Sequence, residues 1–380
     1  MIHTLREHPQ VLYGAGLALL VVVLLTPAVG RMAGILGVVD SPGGRRLNRQ
    51  PVPRLGGIAL FFGIFIPALA FLNLGHETRG LLLGAAVATT VGAIDDFRGL
   101  RWWGKLGGQV AAAAIPVGFG IWVHSFTFPI LGAHELPKWV GMSVSVIWIV
   151  AIMNMLNFLD GMDGLAAGVS AISSLTFCVI ALSLARPPST IQAAILSAIV
   201  FGACIGFLRH NFYPARIFMG DSGSLLLGFT LATVAIQGTL KTAATVALFL
   251  PLFVLAVPII DTSFVVARRI KHGERVFAPD QAHLHYRLLR RGFSQRRTVV
   301  YLWSWCAILA CGALATRFVP FRENGEWHLW PTVLAVFIGL VALVASLDLV
   351  TLLEILKLRR LRAWVGRPVE EEDEPRLKSA

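Results

Sequence analysis

Apolar stretches of about twenty residues recur along this chain from Val11 to Leu356. A helix of that length crosses the hydrocarbon core of a bilayer, which is about 30 Å thick. Of the 380 residues, 56% are hydrophobic and only 14% are charged, whereas a soluble domain has about 25% charged residues. Because lipid offers no hydrogen-bond partners, each stretch must satisfy its own backbone groups. We therefore predict an all-α, polytopic integral membrane protein.

The apolar stretches predict about eleven transmembrane helices. They cover residues 11–34, 55–74, 80–95, 107–124, 139–156, 164–184, 191–208, 222–238, 242–265, 299–317 and 331–354. We expect residues 1–354 to form a single membrane domain with one long polar loop at 267–298. The tail, residues 355–380, contains an acidic run and is expected to be solvated and disordered.

The basic residues predict the orientation of these helices. Most of the 33 Lys and Arg residues fall in one alternating set of loops, which includes 267–298, and in the C-terminal tail. By the positive-inside rule that set is cytoplasmic, which places the N-terminus outside. The net charge of +12 follows from this bias. Since no basic stripe is interleaved with aromatic residues, we expect a membrane partner and no nucleic acid.

Aspartates at the predicted helix ends gather on this same cytoplasmic side. They are Asp95, Asp96, Asp160, Asp163, Asp221 and Asp261. Ionisable groups at membrane depth are costly and mark functional sites. A transporter, the alternative from another class, would place such charge near the midplane between inverted repeats. The sequence offers neither feature, so we predict an active site on one face.

Asp95 and Asp96 end an apolar segment and are followed by Arg98 and Lys105. Adjacent carboxylates repel each other, so the pair is stable only when it is protonated, solvated or shared by a cation. A solvated helix end is the alternative. The basic residues just downstream favour a site for a metal and a phosphate group.

A second acidic motif places Asn157, Asp160 and Asp163 three residues apart. A helix would roughly align the three side chains, but Gly161 and Gly164 make a turn equally compatible. Side chains so spaced can bind a nucleobase and sugar or support a metal. A plain turn without function stays the alternative.

Asp221 and Ser222 open the eighth predicted span between two glycines. One interpretation is a helix N-cap. A helix N-terminus equally attracts phosphate, and an aspartate there can hold Mg²⁺ against a diphosphate. In the long loop, His283 and His285 give only a weak zinc signal, because no further Cys or His lies nearby. Imidazoles beside Arg287 better suit binding of a diphosphate.

At these motifs the chain resembles the polyprenyl-phosphate N-acetylhexosaminyl-1-phosphate transferases, membrane enzymes that initiate synthesis of bacterial envelope polysaccharides. The resemblance extends from Asp40 to about Arg297 and rests on several segments. They are Asp40-Ser41-Pro42, Pro53-Arg54-Leu55-Gly56-Gly57, Asp95-Asp96 with Lys105 and Gln109, residues 157–164, Asn211 with Pro214-Ala215, Phe218-Met219-Gly220-Asp221, Pro258 with Asp261, and the His283/His285 loop.

The resemblance implies a role for each matching residue. Asp221 and Asp95 resemble the ligands of a magnesium ion, or of manganese in its place. The residues that resemble catalytic positions are Asp95, Asp96, His283 and His285. Those that resemble substrate-binding positions are Arg54, Lys105, Asn157, Asp160, Asp163, Asn211, Phe218 and Arg287.

The resemblance also implies a reaction, in which an oxygen of undecaprenyl phosphate attacks the sugar-linked phosphorus of a UDP-sugar and UMP leaves. We expect GlcNAc-1-phosphate to be transferred, and the alternative within the family is a phospho-N-acetylmuramoyl-pentapeptide substrate. Some branches carry a third histidine where Tyr286 stands here. The first loop and the His-x-His pattern resemble the branch that acts on UDP-GlcNAc more than the branch that takes the pentapeptide nucleotide. Whether Asp95 acts as base or as nucleophile is left open. The implied location is the bacterial inner membrane, with the site facing the cytoplasm, and a homodimer is compatible with it.

Overall fold

The computed structural model of this protein describes residues 2–41, 50–128, 132–184, 188–240, 255–271, 284–318, 322–323 and 326–327. Within these ranges the helices are α1 (Ile2–Glu7), α2 (Gln10–Ile35), α3 (Gly56–Phe71), α4 (His76–Arg98), α5 (Trp102–Gly118), α6 (Lys138–Leu159), α7 (Leu165–Ser183), α8 (Pro188–Asn211), α9 (Gly220–Ala235), α10 (Ala256–Lys271), α11 (Leu284–Arg290) and α12 (Gln295–Phe318). A π-helical turn, Ile236–Leu240, extends α9.

The strands that the structure describes pair in short antiparallel two-stranded sheets. The pairs are β1 (Val39–Asp40) with β2 (Val52–Pro53), β3 (Ser125–Phe128) with β4 (Gly132–Glu135), and β5 (Arg322–Glu323) with β6 (Glu326–Trp327). No larger sheet occurs in this described part of the chain, so the prediction of an all-α membrane protein is confirmed.

Six helices within the described ranges are long and apolar enough to cross a membrane. They are α2, α4, α6, α7, α8 and α12. The helices α3, α5 and α9 also fall on predicted spans but are shorter, with 16, 17 and 16 residues. The predicted span 331–354, the tail 355–380 and the first half of 242–265 lie outside the described residues. The total of eleven spans therefore stays a prediction.

Helix α9 is the centre of the bundle, because every residue from Gly220 to Ala235 is buried. It packs against α3, α4 and α6. A helix surrounded in this way is expected to be largely apolar, and from Leu225 onward α9 carries only apolar residues and two threonines. Glycine lets the neighbours approach closely, since a Cβ at Gly92 of α4 or at Gly57 of α3 would collide with the backbone of α9 near Ser222. Two neighbouring helices thus pack closely against the end of α9 that carries Asp221.

Candidate active site

Asp221, in the first turn of α9, is the centre of a charged cluster formed by side chains from distant parts of the sequence. Its Oδ1 accepts hydrogen bonds from Arg54 Nη2 at 3.2 Å and from Asn157 Nδ2 at 3.0 Å. Its Oδ2 is in direct contact with the Lys105 ammonium. The side chain is only 12% exposed. One carboxylate therefore joins Arg54, α5, α6 and α9.

The backbone around Arg54 explains how that residue reaches α9. Residues 52–57 lie between β1 and the loop before α9: the Arg54 N–H donates to Val38 O, the Phe218 N–H to Pro53 O, and the Gly56 N–H to Phe218 O. This strand-like pairing fixes the register of Arg54 opposite Asp221. It also gives Phe218 a backbone role, while the predicted contact of its side chain with substrate stays a prediction.

Asp95 and Asp96 point in different directions from the last turns of α4. Asp95 Oδ1 accepts a hydrogen bond from the Leu100 N–H, and its Oδ2 lies 3.0 Å from Lys105 Nζ. Asp96 Oδ1 instead lies 3.2 Å from Arg54 Nε. Because each carboxylate has its own cation, the repulsion expected between neighbours in sequence is relieved. The two adjacent residues therefore occupy different environments.

Asp96 caps helix α9. Its Oδ1 accepts the Asp221 N–H at 2.9 Å, and its Oδ2 accepts both the N–H and the hydroxyl of Ser222, at 3.0 and 2.9 Å. The first N–H groups of a helix have no partner within the helix, and a carboxylate there is also favoured by the helix dipole. The side chain is fully buried. The residue before Asp221 must be glycine, because Gly220 has φ of 68° and a Cβ there would strike the Asp96 carboxylate.

This capping changes the interpretation of the Asp221–Ser222 motif. The residue at the N-cap position of α9 is Met219, which makes no side-chain capping bond. Ser222 is not the N-cap, and two of the N–H groups that could bind phosphate are already taken by Asp96. The catalytic role predicted for Asp96 stays a prediction, and the contacts above give it a structural role.

The motif from Asn157 to Asp163 adopts the turn and not the continuous helix. Helix α6 ends at Leu159, and Gly164 has φ of 77° before α7 begins. Asn157 is thus the member of the motif that joins the Asp221 cluster. Asp163 Oδ2 accepts the Ala215 N–H at 2.9 Å, and burial raises the pKa of its carboxyl.

Asp160 lies beyond the end of α6 and is half-buried. Burial raises the pKa of its carboxyl to about 8, the Arg54 guanidinium opposes that shift, and the carboxylates of Asp221, Asp96 and Asp163 add to it. The charged side chains of the cluster therefore influence the protonation of Asp160. Substrate contacts for Asp160 and Asp163 stay predictions.

Asn211 fastens two loops of the site together. Its Oδ1 accepts the Gly164 N–H at 3.1 Å and its Nδ2 donates to Ile217 O at 2.9 Å. The side chain is buried, so these bonds fix the turn after α6 against the loop before α9. These contacts give Asn211 a positioning role, and its contact with substrate stays a prediction.

Helix α11, which begins just after His283 in the sequence, lies next to α10. His283 is outside the described residues, and His285 lies in α11. Asp261 Oδ1 accepts the N–H of Leu284, the first residue of α11, at 2.7 Å. The Arg287 guanidinium carbon lies 4.9 Å from the centroid of the Phe264 ring on α10. The catalytic and diphosphate-binding roles of this loop stay predictions.

Two polar side chains beside the site, Ser224 and Asn154, were given no role from the sequence. Ser222 and Ser224 support Asp96 and Asn157, with Asn157 Nδ2 donating to Ser224 Oγ at 2.9 Å. One turn deeper, Gln109 and Asn154 exchange two hydrogen bonds of 3.2 and 2.9 Å, which hold α5 against α6. Polar side chains in otherwise apolar helices were the available signal.

The cluster contains donors suited to magnesium. No group of three or more His, Cys, Asp or Glu residues placed to hold a metal ion by themselves occurs among the described residues. Asp95 Oδ2, Asp221 Oδ2 and Asn157 Oδ1 nevertheless converge on one point, which the Lys105 ammonium takes. Mg²⁺ prefers oxygen ligands and is usually bound by one or two carboxylates, several waters and substrate phosphates. These oxygens fit that ion.

Comparison with known proteins agrees with the motifs. A family model described as "Glycosyl transferase family 4" matches residues 78–239. The chain is 34% identical over 302 residues to a "Probable undecaprenyl-phosphate N-acetylglucosaminyl 1-phosphate transferase" of Bacillus subtilis (strain 168), covering 79% of this chain and 83% of that relative. It is 34% identical over 367 residues to a "Decaprenyl-phosphate N-acetylglucosaminephosphotransferase" of Mycobacterium leprae (strain TN), covering 88% and 89%.

A third relative represents the other substrate class. It is a "Phospho-N-acetylmuramoyl-pentapeptide-transferase" of Desulforudis audaxviator (strain MP104C), 36% identical over 338 residues, which cover 80% of this chain and 97% of that relative. All three alignments extend over most of both chains and well beyond the residues that the family model matches. At this identity and coverage, the chain is shown to belong to glycosyl transferase family 4, the family that its motifs resemble.

Proposed function

We propose that this protein transfers N-acetylglucosamine 1-phosphate from UDP-N-acetylglucosamine to a polyprenyl phosphate, undecaprenyl phosphate in the first instance, and releases UMP. The observation that carries the proposal is the meeting of Asp95, Lys105, Asn157 and Asp221 at one end of a membrane bundle. The carboxylate and amide oxygens can bind a magnesium ion, and the Lys105 ammonium can pair with phosphate oxygens, so the cluster suits a metal-assisted reaction of a diphosphate. The relatives from Bacillus and Mycobacterium are named for transfer to undecaprenyl and decaprenyl phosphate.

In the proposed reaction, an oxygen of the lipid phosphate forms a bond to the sugar-linked phosphorus, and the bond from that phosphorus to UMP breaks. Asp221 and Asp95 would hold magnesium, with Asn157 completing the protein ligands. Bound magnesium neutralises charge on the diphosphate. Arg54 and Asn157 hold Asp221 Oδ1, so that its Oδ2 is directed toward the metal position.

We assign the proton-accepting role to Asp95. Asp96 is committed to the N-terminus of α9, whereas Asp95 Oδ2 faces the cluster. A carboxylate next to the attacking lipid phosphate can take its remaining proton on the oxygen that does not bind the metal, and so raise its nucleophilicity. No covalent intermediate on the protein is needed for this sequence of steps.

The proposed setting is a bacterial inner membrane, with the cluster on the cytoplasmic side and the N-terminus outside. The uneven distribution of Lys and Arg supports this orientation. UDP-sugars are water-soluble, whereas the polyprenyl chain lies in the bilayer. The end of a helix bundle is a place where both substrates can meet.

The test is a transfer assay with the full-length protein in lipid nanodiscs that contain undecaprenyl phosphate and Mg²⁺. Radiolabel from UDP-N-acetylglucosamine is expected in the lipid extract, with one UMP released for each labelled lipid. UDP-N-acetylmuramoyl-pentapeptide is the matched competitor, because one relative carries that activity in its name. Preference for the pentapeptide nucleotide would overturn the donor assignment. In sealed vesicles, label that enters the lumen without labelling lipid would indicate a transporter and refute the transferase.

A further inference from the structure

The Lys105 ammonium is held at the point where the metal ligands converge. Its nitrogen lies 3.0 Å from Asp95 Oδ2 and 3.0 Å from Asn157 Oδ1, and it contacts Asp221 Oδ2. These oxygens come from α4, α6 and α9, while Lys105 itself belongs to α5. An ammonium has three N–H groups, and here each faces one oxygen. Four helices therefore meet at a single nitrogen.

The orientation of Asn157 shows that this point is built for a cation. Its Nδ2 donates to Asp221 Oδ1 at 3.0 Å and to Ser224 Oγ at 2.9 Å. The amide oxygen is thereby turned toward Lys105. Arg54 Nη2 also donates to Asp221 Oδ1, at 3.2 Å. Asp221 Oδ2 is therefore the oxygen that faces the cation at the centre of the cluster. The same three oxygens can bind an ammonium or, once they move closer to the centre, a divalent metal, whose bonds to oxygen are about 2.1 Å long.

An ammonium and a divalent metal cannot occupy this point together. Both are positive, and both need Asp95 Oδ2 and Asp221 Oδ2 as immediate neighbours. The Lys105 side chain has four flexible methylene groups and is 18% exposed, so it has a way out toward solvent. Once displaced, its charge is available to the diphosphate that enters with the nucleotide.

We infer that Lys105 acts as a built-in substitute cation, which occupies the metal position in the substrate-free protein and exchanges with the divalent metal. The inference rests on the proposed function, because it needs a metal at Asp221 and Asp95. It adds that metal and lysine compete for the same oxygens. The lysine neutralises the two carboxylates when no metal is bound, and once displaced its ammonium pairs with the diphosphate of the substrate.

Binding of Mn²⁺ to the full-length protein in detergent, measured from the paramagnetic resonance signal of free Mn²⁺, tests this competition without turnover. Lys105→Met removes the competitor, so we expect Mn²⁺ to bind about tenfold to a hundredfold more tightly, the range for loss of strong charge-assisted hydrogen bonds. Lys105→Arg keeps the charge and is expected to bind no more tightly than the wild type. Lys138→Met is the matched control, because Lys138 lies at the end of α6 far from Asn157 and its replacement removes one positive charge outside the cluster.

A second measurement uses the wild-type protein alone, so it does not depend on how a variant folds. Acylation of Lys105 by an amine-selective reagent, followed by mass spectrometry, is expected to increase severalfold when Mn²⁺ is added, because metal releases the amine. Labelling of Lys138 in the same sample serves as the reference and is expected to stay constant.

The possible outcomes separate this inference from the proposed function. If the wild type binds no Mn²⁺, or if Asp221→Asn binds it equally well, the metal site itself is refuted and the exchange with it. If Asp221→Asn abolishes binding but Lys105→Met binds Mn²⁺ no more tightly than the wild type, the metal site stands and the exchange is refuted. Lys105 labelling that does not respond to metal would refute the exchange in the same way.

Discussion

Replacement of Asp96 by asparagine is expected to lower stability and turnover together, whereas the same change at Asp95 is expected to lower turnover alone. Asp96 accepts three hydrogen bonds from Asp221 and Ser222 of α9 and pairs with Arg54. An asparagine keeps one acceptor oxygen, but its NH₂ group replaces the other oxygen and would then face an N–H or O–H donor of α9. At least one N–H at the buried start of α9 then loses its acceptor.

The magnitude follows from these contacts. Loss of a helix cap costs about 1 kcal/mol, and a buried donor left without a partner costs about 1–3 kcal/mol. We therefore expect Asp96→Asn to lower the free energy of unfolding by about 2–4 kcal/mol. Asp95 makes one backbone contact, with Leu100, in addition to its contact with Lys105, so its replacement should cost about 1 kcal/mol or less.

The assay is unfolding of the full-length protein in mixed micelles with increasing SDS, followed by intrinsic fluorescence, beside the transfer assay on the same preparations. Asp95→Asn is the matched control, since it removes the adjacent charge from the same helix. Equal unfolding curves for Asp96→Asn and the wild type would refute the capping role. A larger loss of stability in Asp95→Asn than in Asp96→Asn would refute the separation of the two roles.

Asp221→Asn is expected to reduce turnover by about 10²-fold or more while the protein remains folded in the membrane, and near-normal activity at saturating Mg²⁺ would contradict the metal assignment. His283→Ala and His285→Ala are each expected to impair turnover or diphosphate binding, as measured by activity across pH. Elemental analysis should find no stoichiometric zinc, because the motif lacks four ligands; full activity in both variants would contradict this role. In a cysteine-free background, an impermeant thiol reagent applied to intact cells should label Gly325→Cys but not Ser294→Cys, and the reverse pattern would overturn the proposed topology.

The membrane fold could be predicted from local properties of the chain. The length of an apolar stretch decides whether it can cross a bilayer, and the backbone must close its own hydrogen bonds there. The predicted spans therefore match helices such as α2, α6 and α7. That Asp95 and Asp221 need a neighbouring cation could also be predicted, since carboxylates at the ends of apolar helices are costly without one. The motifs also identified the family, because they extend over most of the chain.

The division of labour among the acidic residues could not be predicted in the same way. Asp95 and Asp96 are adjacent in sequence, yet one faces Lys105 and the other caps α9, which lies 125 residues further along the chain. Asn157 joins the cluster, whereas Asp163 binds the loop before α9 at Ala215. Which residues become partners depends on how closely helices such as α3 and α4, with Gly57 and Gly92, pack against α9.

The direction of a side chain at a helix end depends on the angle and register of its neighbours, which no local pattern encodes. The same holds for the strand-like segment that brings Arg54 to Asp221, and for the convergence of oxygens from three helices on Lys105. Composition and spacing thus predicted that a cation is needed at this end of the bundle. Packing of distant helices determined which cation takes the position and which carboxylates hold it.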